Sequence, residues 1–310
     1  MTSRPAERHA QPNESAQGDT LRFTYAEAMT DPAHLAPLAQ SAEAAGYDGF
    51  LVPDSVAYPE ESDSLYPFTP DGSREFLEDK PFIEPFTLIS ALAMVTERIR
   101  FTISVLKLPI RHPVHTAKLA ASTAVLSNNR LNLGVGVSPW PEDYAITGTP
   151  WSRRGKRMDE CIDIVSGLLD GGYHSHHGEI FDIESIKICP VPTERVPILV
   201  GGHGAPALRR AARLDGWIHG GGTDDLDELI EALHVLRRES GKEGEPFEIH
   251  VMSADAFGVD GLRRLEEKGV TDVIVGFRWP YTVGPDTEPL QDKIDALERF
   301  AETTIAAYRA

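Results

Sequence analysis

A short apolar stretch followed by a helical pattern recurs eight times along this chain of 310 residues, and that alternation restricts the fold more than any other feature. The stretches are LRFTYA (21–26), GFLVPDS (49–55), RIRFTISVL (98–106), RLNLGVGV (130–137), VPILVGG (196–202), GWIHGG (216–221), FEIHVMSA (247–254) and TDVIVGF (271–277). They are rich in Val, Ile and Leu without strict alternation, as strands covered on both faces are. Helical runs such as PVHTAKLAASTAVL (113–126) and LDELIEALHVLRRES (226–240) lie between them. Asp31 is placed to cap the first helix, Pro32 to open it and Gly46 to end it. Eight strands alternating with helices predict an α/β protein of the TIM (β/α)8 barrel type, because a six-stranded open sheet leaves two strands over.

Two insertions interrupt the rhythm, one after strand 2 and one after strand 4 with its helix. Residues 55–84 form a loop too long for a simple connection, and residues 173–195, beginning YHSHHGEIFDIESIKICPVP, predict a β-hairpin. Residues 1–20 are polar with no apolar core and read as a disordered tail, leaving 21–310 as a single barrel domain. Thirty basic against forty-eight acidic side chains give a net charge of −18, which argues against nucleic acid or an anionic membrane as partner. A small anionic ligand is still admissible, because backbone amides hold phosphate without lysines. Cys161 and Cys189 stand far apart in no CxxC pair, and no apolar run reaches the roughly 18 residues of a membrane span. The expected setting is the cytoplasm.

Gly134-Val135-Gly136 invites a dinucleotide-loop reading, but Pro139 stands where a third glycine is needed and helix-forming sequence resumes only near Trp151. The two glycines instead fall on one face of the fourth strand, where glycine marks close approach of another backbone or of a flat ligand. A tight core with no ligand is the other reading.

In a barrel, chemistry sits where the strands end at the C-terminal face. That rule selects Asp54 and Ser55, Ser104 and Val105, Val137 and Ser138, Gly201 and Gly202, and His219 with Gly220. Gly201-Gly202-His203-Gly204, with a helix from Ala205, is either an anion-binding nest or a plain turn. Trp140, Glu142 and Tyr144 follow the fourth strand and are expected on the substrate side, Glu142 as a proton donor or as a solvated carboxylate. His112 precedes Pro113 at a helix start, facing the pocket or serving the helix end. His174, His176 and His177 lack a ligand frame, so no metal is expected. Arg153, Arg154 and Arg157 beside Asp159 and Glu160 read as helix-face ion pairs.

The segments LPIRHPVHTAKLAASTAVLSNNRLNLGVGVSPWPEDYAITG, WSRRGKRMDECIDIV, HHGEIFDI, PVPTERVPILVGG and LRRAARLDGWI occur in an order and spacing that resemble the luciferase-like flavin and deazaflavin oxidoreductases of bacteria, from about residue 21 to 305. DSLYPFTPDGS in the long loop is similar to the branch that uses coenzyme F420. The resemblance implies hydride transfer between coenzyme F420 and a small organic substrate. The alternatives are an FMN-dependent monooxygenase fed by a separate reductase and a flavin-binding protein without turnover. It also implies a homodimer and a cofactor site that includes Asp54, Ser104, Val105, Gly136, Val137, Ser138, Gly201, Gly202 and His203, with a cis peptide at Ser104-Val105. Two departures stand out. Asn128-Asn129 replaces a pair of glycines, which asparagine tolerates in left-handed turns. Ser55 stands where relatives often carry a histidine that serves as acid–base group, which argues against alcohol oxidation on sugar phosphates.

Overall fold

The computed structural model describes residues 21–310 except 67, 68, 70, 223 and 224; the expected tail at 1–20 lies outside the described residues. The strands are β1 (Arg22–Ala26), β2 (Gly49–Val52), β3 (Arg100–Ile103), β4 (Leu106–Lys107), β5 (Leu131–Gly136), β6 (His174–His177), β7 (Asp182–Ile186), β8 (Ile198–Gly201), β9 (Gly216–His219), β10 (Glu248–Val251) and β11 (Asp272–Val275). The helices are α1 (Pro32–Ala44), α2 (Pro85–Ala93), α3 (Pro113–Leu126), α4 (Pro141–Ile146), α5 (Arg154–Leu169), α6 (Ala205–Ala211), α7 (Leu226–Glu239), α8 (Val259–Glu267) and α9 (Leu290–Phe300).

Strands β3, β2, β1, β11, β10, β9, β8 and β5 pair in that order, all parallel, and the β3–β5 pairing closes the ring. The fold is the expected TIM barrel. Its start follows the expected chemistry: Asp31 accepts a bond from the Ala33 amide, Pro32 opens α1, and Gly46 adopts φ +91° beyond its end. Asn128 and Asn129 hold φ +54° and +62°, the left-handed turn expected of them. The insertion at 173–195 is a hairpin, with β6 antiparallel to β7.

Side chains alternate across the barrel wall. Phe23, Tyr25, Phe50, Phe101, Trp217 and Val273 belong to the large core that joins the strands to the helices. Leu51, Leu199, Ile218 and Ile274 form a second, separate cluster with Ala26 and Val105, which is the apolar filling of the lumen. Below it, toward the strand starts, the inward positions are polar. Arg22 Nη2 lies 2.9 Å from Glu248, His250 Nε2 2.6 Å from the same carboxylate, and Asn132 donates to Thr102 at 3.1 Å. Ladder-paired inward positions thus carry opposite charges, as with Arg22 opposite Asp272.

Gly134 answers the question raised by its sequence. A Cβ there would lie 2.0 Å from the Ile103 carbonyl oxygen and 2.6 Å from Ile218, so a neighbouring strand and a lumen side chain already fill the position.

Three expectations need correction. The third strand does not run unbroken through 98–106: it stops at Ile103, and the chain re-pairs with β5 as β4. Helix resumes at Pro141 rather than near Trp151, giving α4. The arginines before and in α5 do not pair with Asp159 and Glu160: Arg153 meets Glu179, Arg154 lies over the Trp151 ring at 3.7 Å, and Arg157 donates to the Pro109 carbonyl at 2.6 Å. Asp159 instead takes Arg210 at 2.6 Å, and Glu160 accepts the amides of Glu179, Ile180 and Phe181 at 2.9–3.1 Å, because tertiary partners outcompete neighbours on the helix.

Gly134→Ala should lose about 2–3 kcal/mol in urea unfolding through overpacking against backbone, whereas Gly244→Ala, which meets nothing within 4 Å, should stay within about 0.5 kcal/mol. Burial pushes the Glu248 carboxyl up, but His250, Arg22 and Arg100 outweigh it and hold it at about 2, below its ordinary 4.5. Its stabilisation is therefore present above pH 4.5 and lost as pH falls toward 2. Stability measured across that window should fall less steeply in Glu248→Gln than in the wild type.

Candidate functional site at the barrel mouth

The C-terminal ends of the strands meet around the Ser104-Val105 peptide, which is cis. Val105 turns inward, and a Cβ on Gly136 or on Gly201 would stand 2.6 or 2.7 Å from its methyl groups. Glycine at these two rim positions makes room for Val105. The space expected to face a flat ligand directly is filled on that side by this valine, which becomes the apolar floor of the mouth.

Asp54 follows β2. One of its oxygens accepts the Lys107 amide at 2.9 Å and the other the Arg111 guanidinium at 2.7 Å, and its side chain is fully shielded. It braces the chain just beyond the floor; the half-buried Ser55 comes next. Ser138 is buried, donates to Asp143 and accepts the Trp140 amide at 3.1 Å, so it organises the start of α4. Val137 beside it is 39% exposed and faces outward from the rim. Gly202 has φ +116°, and its carbonyl accepts the Trp217 indole at 2.9 Å. His203 stacks on His219 with ring centroids 4.5 Å apart. Burial and the neighbouring His203 push His219 down to about 4, and burial also lowers His203, so the pair is neutral at pH 7.

The expected substrate residues divide. Trp140 is buried with its ring between the Arg74 guanidinium at 4.6 Å and the Lys107 ammonium at 4.8 Å. Tyr144 is wholly buried edge-on against Trp151 at 5.0 Å, and burial pushes its phenol up to about 12; helix α4 turns it toward Trp151 and α5. Glu142 accepts the hydroxyls of Ser62 and Ser64, the latter at 2.9 Å, with Arg74 at 3.7 Å. Burial would raise this carboxyl, but the two serines and Arg74 outweigh it and hold it below its usual range. Ionised at neutral pH, Glu142 has no proton to donate and acts as a latch between α4 and the long loop at 53–84. His112 sits exposed at the start of α3 with Phe181 of the hairpin 5.9 Å away; burial, His115 and Arg157 lower its imidazole. On the hairpin, His176 faces Glu160 at 3.4 Å and His177 faces Asp182 at 2.6 Å. Among the described residues no group of three or more His, Cys, Asp or Glu side chains is arranged to hold a metal.

Several mouth residues escaped the sequence reading. Lys107 pairs with Asp143 at 2.8 Å. Glu27 at the end of β1 binds Arg278 after β11; Asp286 lies 3.5 Å from Arg278 and also binds Lys293 of α9, whose ammonium is 2.6 Å from Thr30. The four charges cancel; burial would raise the Asp286 carboxyl, but Lys293, Thr30, the Glu288 amide and Arg278 outweigh it and hold it at about 2. Applying the strand-end rule to the first and last strands leads to Glu27 and Arg278. Nothing local points to Asp286 or Lys293.

Glu142→Ala should free the long loop: limited proteolysis is expected to cut near residues 60–63 several-fold faster. The melting temperature should fall by several degrees, because the change leaves the buried Arg74 guanidinium without its carboxylate.

The comparisons with known proteins agree with this architecture. The family model for luciferase-like monooxygenases matches residues 7–258. An uncharacterized protein of Mycobacterium tuberculosis is 63% identical over 287 residues, covering 92% of this chain and 99% of the relative. An F420-dependent glucose-6-phosphate dehydrogenase of Nakamurella multipartita is 27% identical over 257 residues, covering 80% of this chain and 71% of that one. A monooxygenase from Streptomyces bottropensis superimposes with a TM-score of 0.72 at 15% identity, covering 93% of this chain and 100% of that one, a likeness of fold. The chain belongs to the luciferase-like monooxygenase family.

Proposed function

We propose that this oxidoreductase binds coenzyme F420 at the barrel mouth and moves a hydride between it and a small organic substrate. The observation that carries the reading is the Val105 floor: an apolar side chain at the top of the lumen, cleared on both sides by Gly136 and Gly201, suits the face of a planar tricyclic ring. Asp54, through the Lys107 amide and Arg111, holds the segment that carries Val105 in place. Ser138 and Asp143 do the same for the neighbouring wall. At the start of α6, Ala207 and Leu208 already donate to the Gly204 carbonyl at 2.8 and 3.2 Å and Pro206 has no amide, so the amides suited to an anionic part of the cofactor are those of Ala205 and the Gly-rich turn before it. The neutral His203 can contribute a hydrogen bond there but no charge.

When bound, a deazaflavin supplies a carbon hydride donor where a flavin has a nitrogen, and does not support the peroxide chemistry of a monooxygenase. The protein's part is to orient ring and substrate, exclude water and let a proton reach the reduced product, Ser55 being the nearest hydroxyl in sequence to the braced Asp54. The deazaflavin is preferred because the long loop carries DSLYPFTPDGS, of which residues 67, 68 and 70 lie outside the described residues, and because a related chain is an F420-dependent dehydrogenase. The Val105 floor is equally suited to FMN, so an FMN-dependent monooxygenase with a partner reductase is the second reading. A homodimer belongs to either.

Titration of the purified protein with coenzyme F420 and with FMN separates them. Micromolar or tighter binding of F420 is expected, lost by tenfold or more in Val105→Glu, which puts a carboxylate under the ring. Tight binding of FMN alone overturns the cofactor assignment. Reduced F420 that binds yet is not oxidised by any of a panel of enones, imines and quinones points to a carrier.

A further inference from the structure

We infer that the substrate is an apolar molecule without an anionic group, held at the mouth by an aromatic wall that ends in Trp279. The inference deepens the oxidoreductase reading and rests on it. Trp279 and Tyr281, from the segment after β11, meet edge to face at 4.8 Å. Tyr281 contacts Tyr66 at 5.5 Å and Phe76 at 4.9 Å in the long loop after β2, and Tyr66 reaches Trp140 beyond β5 at 5.9 Å. Lys80 ties the same two loops together by donating to the Gly284 carbonyl. The wall therefore runs across three separate strand ends, the place where a barrel's substrate sits.

Its outer end is left in solvent. Trp279 is 63% exposed, Val283 63% and Leu65 75%, among the most exposed large apolar side chains of the described residues. Leu65 neighbours Tyr66 in sequence and Val283 lies two residues beyond Tyr281, and exposed apolar groups beside an aromatic wall mark a surface kept for a ligand. Three of the cations beside the wall have an acid next to them, Arg74 with Glu142 at 3.7 Å, Lys107 with Asp143 at 2.8 Å and Arg278 with Glu27 and Asp286, while Lys80 donates to a backbone carbonyl. An anionic substrate would have to compete with the acids of these pairs. The exposed acids Glu60, Glu61 and Asp63 on the same loop further disfavour an anion. The wall selects for apolar area and against negative charge.

The test uses the full chain and two kinds of probe. Nile red, a neutral dye, is titrated without cofactor. Benzalacetone and its ring-carboxylated analogue are compared as substrates, and as ligands by tryptophan fluorescence, with the cofactor loaded. Nile red and benzalacetone are expected to bind about fivefold more weakly to Trp279→Ala and Val283→Asp, the loss of one aromatic or aliphatic contact, with circular dichroism unchanged. The carboxylate should bind at least tenfold more weakly than its neutral parent. Equal binding of the two, or unchanged Nile red affinity in Trp279→Ala, overturns the inference. So does a dimer-to-monomer shift of Trp279→Ala in sedimentation, which would mean that a second copy covers the wall. If neither F420 nor FMN binds while Nile red still depends on Trp279, the oxidoreductase reading fails and the ligand class stands.

Discussion

Closing eight parallel strands into a ring sends every second side chain into a lumen that only a few can share, and the rest of this molecule follows from how that space is divided. Arg22, Arg100, Glu248 and Asp272 occupy its lower end and neutralise one another. Leu51, Leu199, Ile218 and Ile274 plug the middle. At the top, the inward positions of β5 and β8 are Gly136 and Gly201, and Val105 takes their space. An ionic base, an apolar plug and a slim rim give a closed barrel with a shallow apolar floor at its mouth.

The loops over that floor are held by compensated charge. Asp54 with Arg111, Asp143 with Lys107, Glu142 with Arg74, and Glu27 with Arg278 each join segments far apart in sequence. A pair of this kind is a weak source of net stability, because desolvation offsets most of the Coulomb gain. Its effect here is positional: breaking one leaves a buried charge, so the loops keep one arrangement.

The sequence reading placed the strand ends correctly but assigned their side chains too generously to ligand. Asp54 and Ser138 lie at the mouth as expected, yet their hydrogen bonds go to Lys107, Arg111, Asp143 and Trp140. Tyr144 was expected beside a substrate and is buried, because the segment read as loop forms α4 and rotates it inward. Glu142 was weighed as an acid and is ionised by neighbours from a loop some eighty positions earlier, Ser62 and Ser64. Each difference has one cause: a polar side chain's partner is chosen in space, and sequence spacing does not carry that choice.

By itself the sequence determined the barrel and its two insertions, because strand-and-helix periodicity and capping chemistry are local and survive in any correct packing; the family came from the resemblance of its segments. The glycines of LGVG were legible as small residues that something must approach closely. Only the tertiary structure decided what approaches. A strand carbonyl and Ile218 crowd Gly134, and Val105 fills the space at Gly136, because those contacts arise only when β3, β5 and β9 are drawn around one lumen.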